Sequence, residues 1–456
     1  MKVFFIFLVF TFSLYSYERP LVVITASYNN AQWYRQNLDS IFSQNYTNYR
    51  LLYIDDCSTD GTYELVRDYI TEHHQEQRTT LIHNNTRQGA CANRYIGSHL
   101  CAPDEIVMIV DGDDWLAHDN VMNIVNQAYE NKHVWLTYGQ FKRFPSNRIG
   151  FVRFVAPKNP HRTSIFLTSH LRTYYAGLFQ QIKLKDCLFE SQFYQATGDL
   201  AEMLPMLELA DTHVQYIPDV MYIYNEQTPF NDYKINERVY ERMKGIIRSC
   251  PPYSPLPALI LEAPKTPNQT DVLLISQNIA AAEQTLISLR SYTNALNTIH
   301  LCCDYPVQQR EKQLKNLLPG CTIMVHHDSA TGLYAALNSS AQYFLLLSDQ
   351  HPLGDIPDLR LCTQYLARTH AYGYYLNKTH VAQRVNKAVH LYDGLHAWQF
   401  GPENRSFGGP HQYQALYPRR VFEAEFINLR PKTFAEFIAL WMNESVDPRE
   451  VAISIL

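Results

Sequence analysis

Charge is scarce in this chain. Charged residues make up 18% of 456, and Asp and Glu outnumber Lys and Arg enough to leave a net charge of −5. A nucleic-acid binder carries the opposite bias, so the composition as a whole implies no nucleic-acid partner. Cysteines number nine, scattered, which is too few for a disulfide framework, and the odd count leaves one free unless two chains join. Cys302 and Cys303 are adjacent in an apparent strand, where consecutive side chains face opposite ways, and read as core. Beyond Leu14 no run is long and apolar enough to span a bilayer. A nucleotidyltransferase needs a Gly-rich, Arg-containing phosphate loop after its first strand, and none is present.

What the chain has is apolar and aromatic. Its 46% apolar residues are enough to bury two cores. Tyrosine is abundant at 32 residues, which suits clefts for sugars but equally suits strands and half-buried surfaces. Lys2, the apolar run Val3 to Leu14 and a polar break before Glu18 have signal-peptide proportions. Leu14 and Ser16 make a poor cleavage site, so residues 1–17 are expected to be a signal peptide or a short retained anchor. That places the protein in the secretory-pathway lumen or at a membrane. Asn45 with Thr47 and Asn377 with Thr379 are glycosylation triplets that matter only in a host that modifies secreted proteins.

Apolar runs and helical periodicity alternate from Leu21 onward. Leu21–Thr25, Leu51–Ile54, Leu81–Ile82 and Ile106–Val110 read as buried strands. Ala31, Tyr34, Leu38, Ile41 and Phe42 share one helical face, and Tyr63–Ile70 reads as a second helix. The pattern predicts an α/β fold with a mostly parallel sheet. Ligands of such sheets sit beyond the carboxyl ends of the strands. Tyr28-Asn29, Asp55-Asp56 and Asp111 to Asp114 all fall there.

Asp111, Asp113 and Asp114 follow a hydrophobic strand closely, with Gly112 expected to let the backbone turn. Crowded carboxylates repel one another unless a cation neutralises them, and a hard ion with oxygen ligands, Mg²⁺ or Mn²⁺, is the natural partner. The bland reading is an acidic turn after a strand. Asp199 follows Gly198 and precedes Met203, Leu204, Met206 and Leu207, positions that suit a helix on a core. Taken alone it reads as a helix N-cap.

The stretch VVITASYNNAQWYRQNLDSIFSQNYTNYRLLYIDDCSTDGT from Val22, followed in order by NNTRQGACANRYIG and IVMIVDGDDWL, resembles the family 2 glycosyltransferases of the GT-A fold over roughly residues 20–225. The resemblance implies an inverting transferase using a nucleotide diphosphate sugar, most often a UDP-sugar, with a divalent metal. Ala26 and Tyr28 would contact the base, Asp56 would bind it, and Arg94 would face the diphosphate. Asp111 would take the ribose, Asp113 the metal, with Asp114 in support, and Asp199 would be the base. No histidine stands out to complete the metal shell; His170 and His213 are candidates, but both read first as polar surface or core residues. Three departures stand out. Thr25 and Ala26 replace the usual proline, Tyr95 replaces an asparagine, and no Gln-x-x-Arg-Trp follows Asp199. The last implies a nonprocessive enzyme acting on a glycan, glycoprotein or glycolipid acceptor. The rival reading is a carbohydrate- or nucleotide-binding module that kept the fold and lost turnover.

Six prolines between Pro251 and Pro267 suggest a stiff linker, dividing a transferase domain at 18–250 from a second domain at 271–456. The order then repeats: strand Val272–Ile275, a helix toward Ser291, strand Ile299–Cys303 with Asp304, and strand Tyr343–Leu347 with Ser348-Asp349-Gln350-His351. This predicts a diverged duplication, or else an unrelated α/β domain of the same generic order. Leu337 stands where Arg94 does, so the second copy is expected to be a degenerate GT-A-like domain without activity.

Overall fold

A computed structural model describes residues 17–155, 161–228 and 237–259 and, beyond them, the strands and helices named below with their flanks. The leader, Asp304, Asn377, Ser291 and Asp349 to His351 lie outside the described residues.

The first half runs β1 (Leu21–Ser27), α1 (Tyr34–Phe42), β2 (Tyr49–Asp55), α2 (Thr62–Glu72), β3 (Thr79–His83), α3 (Ala90–His99), β4 (Ile106–Ile109), β5 (Trp115–Leu116), α4 (Val121–Ala128), β6 (Leu136–Phe144), β7 (Arg172–Tyr175) and α5 (Ala176–Phe179). It continues with β8 (Leu188–Phe189), β9 (Gln192–Phe193), α6 (Gly198–Ala210), β10 (Val214–Asn225) and α7 (Glu237–Ser249). Eight strands form one sheet in the order β3-β2-β1-β4-β7-β6-β10-β5. β1 is parallel to β2 and β4, and β7 is antiparallel to both of its neighbours. The expected mostly parallel α/β architecture is therefore present. β1 and β4 are central and covered on both faces, so their residues are apolar without alternation. Helix α1 starts at Tyr34 rather than Ala31, because the amides of Trp33 and Tyr34 both turn back to the Asn30 carbonyl.

Among the described residues the second half has nine strands: β11 (Thr270–Ser276), β12 (Leu296–Cys303), β13 (Thr322–His326), β14 (Tyr343–Ser348), β15 (Gly373–Tyr375), β16 (Val389–His390), β17 (Leu395–Gln399), β18 (Ala415–Pro418) and β19 (Val451–Ile455). They form a separate sheet in the order β13-β12-β11-β14-β18-β15-β19-β17-β16. For seven positions this order repeats that of the first sheet. The directions repeat too: β18 is antiparallel to β14 and β15, and β15 is parallel to β19, as β6 is to β10. Even a local contact recurs. Tyr53 donates to the Ser27 hydroxyl at 2.9 Å, and Tyr305 sits 2.7 Å from that of Ser276. Cys302 and Cys303 are buried as expected, and none of the nine cysteines is in a disulfide.

Among the described residues no helix or strand lies between Ser249 and Thr270. Its first part is not a free tether, because the Tyr253 amide donates to Glu208 at 2.9 Å and the Leu256 amide to the Leu209 carbonyl at 2.9 Å. Where the halves meet, His99 Nε2 is 3.1 Å from the Arg368 carbonyl, and His370 Nε2 is 3.1 Å from that of Gln180. Burial drives the His99 ring down from 6.5 to about 4, outweighing the two carbonyls that would favour its cation. A histidine buried neutral binds its proton more readily when unfolded, so stability is lost as pH falls from 6.5 toward 4. The upper bound is about 3 kcal/mol. Calorimetric melting of wild type and His99→Gln across that range should show the loss in the first and a smaller loss in the second.

Candidate active site

At the carboxyl ends of β1, β2 and β4 the structure forms a cavity of about 270 Å³. Ala26, Tyr28, Asp56, Arg94, Asp111, Asp113, Asp114 and Asp199 all line it. Residues drawn from five elements or their flanks thus share one space.

The acidic turn is held by its surroundings. Tyr222 donates to Asp114 Oδ2 at 2.7 Å and accepts from the Asp111 amide at 3.1 Å, while the Asn225 amide donates to Asp114 Oδ1 at 2.7 Å. Asn37 Nδ2 donates to the carbonyls of Asp111 and Asp114. Gly112 is needed for space, not for a left-handed backbone. A Cβ there would stand 2.6 Å from that of Ser27.

Burial raises the Asp114 carboxyl well above its ordinary value, and the charges of Asp113 and Asp111 add to the effect. Burial also opposes ionisation of Asp111, but the guanidiniums of Arg94 and Arg172, 3.6 and 3.9 Å away, hold it below the usual range. Ligand atoms of Asp111, Asp114 and His170 lie within 4.8 Å of one another. The His170 Nδ1 is buried without a hydrogen-bond partner. Burial, then Arg172, pushes that ring down to about 3, so it stays neutral with its lone pair available. An unpartnered imidazole nitrogen beside two carboxylates fits a divalent cation. Asp113 lines the same cavity but is not in this group, which instead contains Asp111. His213 is excluded as a ligand to this group: it stacks on Trp135 at 3.7 Å and faces the His133 carbonyl.

Asp56 is more committed than expected. Its Oδ1 accepts from Asn84 Nδ2 and the Gln88 amide, and its Oδ2 from the Gly89 amide. Its carboxylate ties down the loop entering α3, so a contact with a base would be an additional bond. Tyr28 lies under Arg87, whose guanidinium carbon is 3.9 Å from the ring centre.

Asp199 is in the first turn of α6 rather than at its N-cap, which is Thr197. Its Oδ1 accepts from the Leu200 amide at 2.9 Å. One turn further, Glu202 places both carboxylate oxygens 2.9 Å from Arg94 Nε. Burial raises the Glu202 carboxyl, against the pull of Arg94 and Arg172.

Residues 22–181 match the family model described as glycosyl transferase family 2. The first half of this chain carries a family 2 glycosyltransferase domain. An uncharacterized glycosyltransferase of Haemophilus influenzae is 33% identical over 123 residues, covering 27% of this chain and 47% of the relative. Glycosyltransferase GlyG of Streptococcus pneumoniae is 24% identical over 133 residues (29% and 42%). An Escherichia coli relative, UDP-Glc:alpha-D-GlcNAc-diphosphoundecaprenol beta-1,3-glucosyltransferase WfgD, is 28% identical over 137 residues (30% and 51%). The chain spans about half the length of these relatives. Among solved structures, Staphylococcus aureus TarS 1-349 in complex with UDP-GlcNAc overlaps with a TM-score of 0.39 at 17% identity, covering 50% of this chain and 66% of that one.

Arg172, which lines the glycosyltransferase domain's cavity, and Glu202, which pairs with the lining residue Arg94, both escape sequence reading. Arg172 is a buried cation on β7, and an arginine within LRTYY was the only signal. Glu202 looks like an ordinary helical glutamate until α6 is seen against α3. The helices approach closely because position 198 has no side chain: a Cβ there would lie 2.7 Å from that of Cys91 and 3.0 Å from Arg94 Nη2. Gly198→Ala should therefore cost roughly 1–3 kcal/mol in thermal or denaturant unfolding. It should also displace the Asp199 turn, lowering kcat more than it raises the KM for donor.

Proposed function

We propose that the domain transfers a sugar, with inversion and one residue at a time, from a nucleotide diphosphate sugar to a hydroxyl of a glycan, protein or lipid. A UDP-sugar is the expected donor. The observation that carries this reading is one cavity lined by Asp199 together with the Asp111 cluster, Arg94 and Arg172. A base and a seat for an anionic leaving group are the two things an inverting transfer needs.

As the acceptor oxygen attacks the anomeric carbon, its proton passes to the Asp199 carboxylate, which the Leu200 amide orients. The bond from that carbon to the diphosphate breaks, and the electron pair leaves with the nucleoside diphosphate. Arg94 and Arg172 bear the positive charge that receives it. A bound Mg²⁺ or Mn²⁺, held by Asp111, Asp114 and His170 with Asp113 nearby, would supply further charge to the diphosphate oxygens. Since nucleotide sugars occupy the cytosol and the ER–Golgi lumen, a leader fits a luminal or anchored enzyme. The second half, with Leu337 where Arg94 stands, fits a noncatalytic companion at 271–456.

A panel of nucleotide sugars assayed for Mn²⁺-dependent hydrolysis and transfer should identify the donor. Asp199→Asn should lower kcat by roughly 10²–10⁴ while leaving donor affinity unchanged. Near-wild-type transfer would refute the base, and donor binding without turnover by any acceptor would favour a binding module. Because the cation competes with a proton on Asp114, metal affinity should rise with pH until that carboxyl is ionised. Titration of Mn²⁺ at several pH values reads this directly. In the full chain, Asp111→Asn with Asp113→Asn should remove all metal-dependent turnover, and appreciable remaining activity would place a second working site in residues 271–456.

A further inference from the structure

The chain is acidic, but its charge is unevenly placed. Residues 131–185 contain ten Lys and Arg and not one Asp or Glu. Some of these cations are used internally, Arg162 on Glu208, Arg143 on Glu226 and Arg172 on Asp111. Arg148 and Arg153 are exposed. Interleaved with them stand three large apolar side chains that remain in water: Ile149 is 56% exposed, Phe151 45% and Phe154 66%.

These side chains sit on a fixed backbone. The strand end folds into a hairpin, with Lys142 bridged to Ile149, the Arg143 amide donating to the Arg148 carbonyl, and the Gly150 amide donating to that of Phe141. Beyond the hairpin, Tyr138 accepts from the Val155 amide and donates to the Arg153 carbonyl, and Gln140 donates to that of Val152. Val152 points inward and is buried, so the exposure of its neighbours is not looseness of the segment. The surface also borders the cavity. Phe151 packs edge-on to Phe141 at 5.6 Å, and Phe141 lies 5.9 Å from His170 and 5.7 Å from Tyr224, which both line the cavity.

We propose that Arg148, Ile149, Phe151, Arg153 and Phe154 form a docking surface for an anionic phospholipid bilayer. Aromatic and branched side chains alternating with arginines match an interfacial layer, where rings enter the acyl boundary and guanidiniums stay with the phosphates. Absence of any acidic residue across the segment matches the negative potential of such a membrane. The surface does not depend on the leader. It lies at the carboxyl end of β6, which runs parallel to β1, and the leader joins at the amino end of β1. Nor does it rest on the transferase reading.

Co-sedimentation of the full chain with vesicles tests it. Binding to phosphatidylcholine vesicles containing phosphatidylserine should exceed binding to pure phosphatidylcholine and weaken with added salt. Arg148→Glu with Arg153→Glu should reduce it by roughly 30-fold. Phe151→Ser with Phe154→Ser should reduce it by about tenfold or more, with melting temperature and donor hydrolysis unchanged. Binding driven by the leader would ignore both pairs of substitutions. Binding that is absent, indifferent to phosphatidylserine, or equal in the variants would overturn the proposal.

Discussion

Negative charge crowded at a buried sheet edge is the constraint around which the first half is arranged. Asp111, Asp113 and Asp114 lie within four residues at the end of a fully buried strand, where little water can screen them. The fold answers with cations and dipoles from elements distant in sequence. Arg94 comes from α3 and Arg172 from β7, while Tyr222 and Asn225 come from β10 and Asn37 from α1. Removing one partner of such a buried set leaves an uncompensated charge and costs about 3–5 kcal/mol, so these elements are bound to the acidic turn by more than packing. Stability and site geometry have the same origin here.

Arg94 is the clearest case. Its guanidinium pairs with both Asp111 and Glu202, so the helix that carries Asp199 is tied to the acidic turn through one buried arginine. Asp199 therefore lines the same cavity as the acidic turn and Arg94. The second sheet repeats the strand order yet carries different polar chemistry. Asp271 there receives Asn297 and the Thr298 amide and lies 3.3 Å from His300, which contacts His326 at 3.2 Å. Asp271, His300 and His326 are buried.

The elements legible in the sequence were those with strong local pattern. Buried strands such as Leu21–Ser27 and Ile106–Ile109 have no other use for an uninterrupted apolar run, and their ends located the polar clusters. Asp199 was legible because Gly198 and the apolar spacing behind it mark a helix start. What was not legible depended on tertiary approach. Glu202 gains meaning only from the contact of α6 with α3, and Arg172 only from lying beside Asp111. The structural bonds on Asp56 come from the amides of Gln88 and Gly89 turning back on it, which no spacing rule predicts. Whole-chain charge also hid the basic segment at 131–185, because acids elsewhere offset it.

The central claim is that the acidic turn, with its paired arginines, is a metal-assisted seat for a nucleoside diphosphate. Calorimetric titration of UDP into the full chain, with and without Mn²⁺, addresses it most directly. Binding should require the cation and be lost in Asp111→Asn. Equal affinity without Mn²⁺ and in that variant would contradict the account.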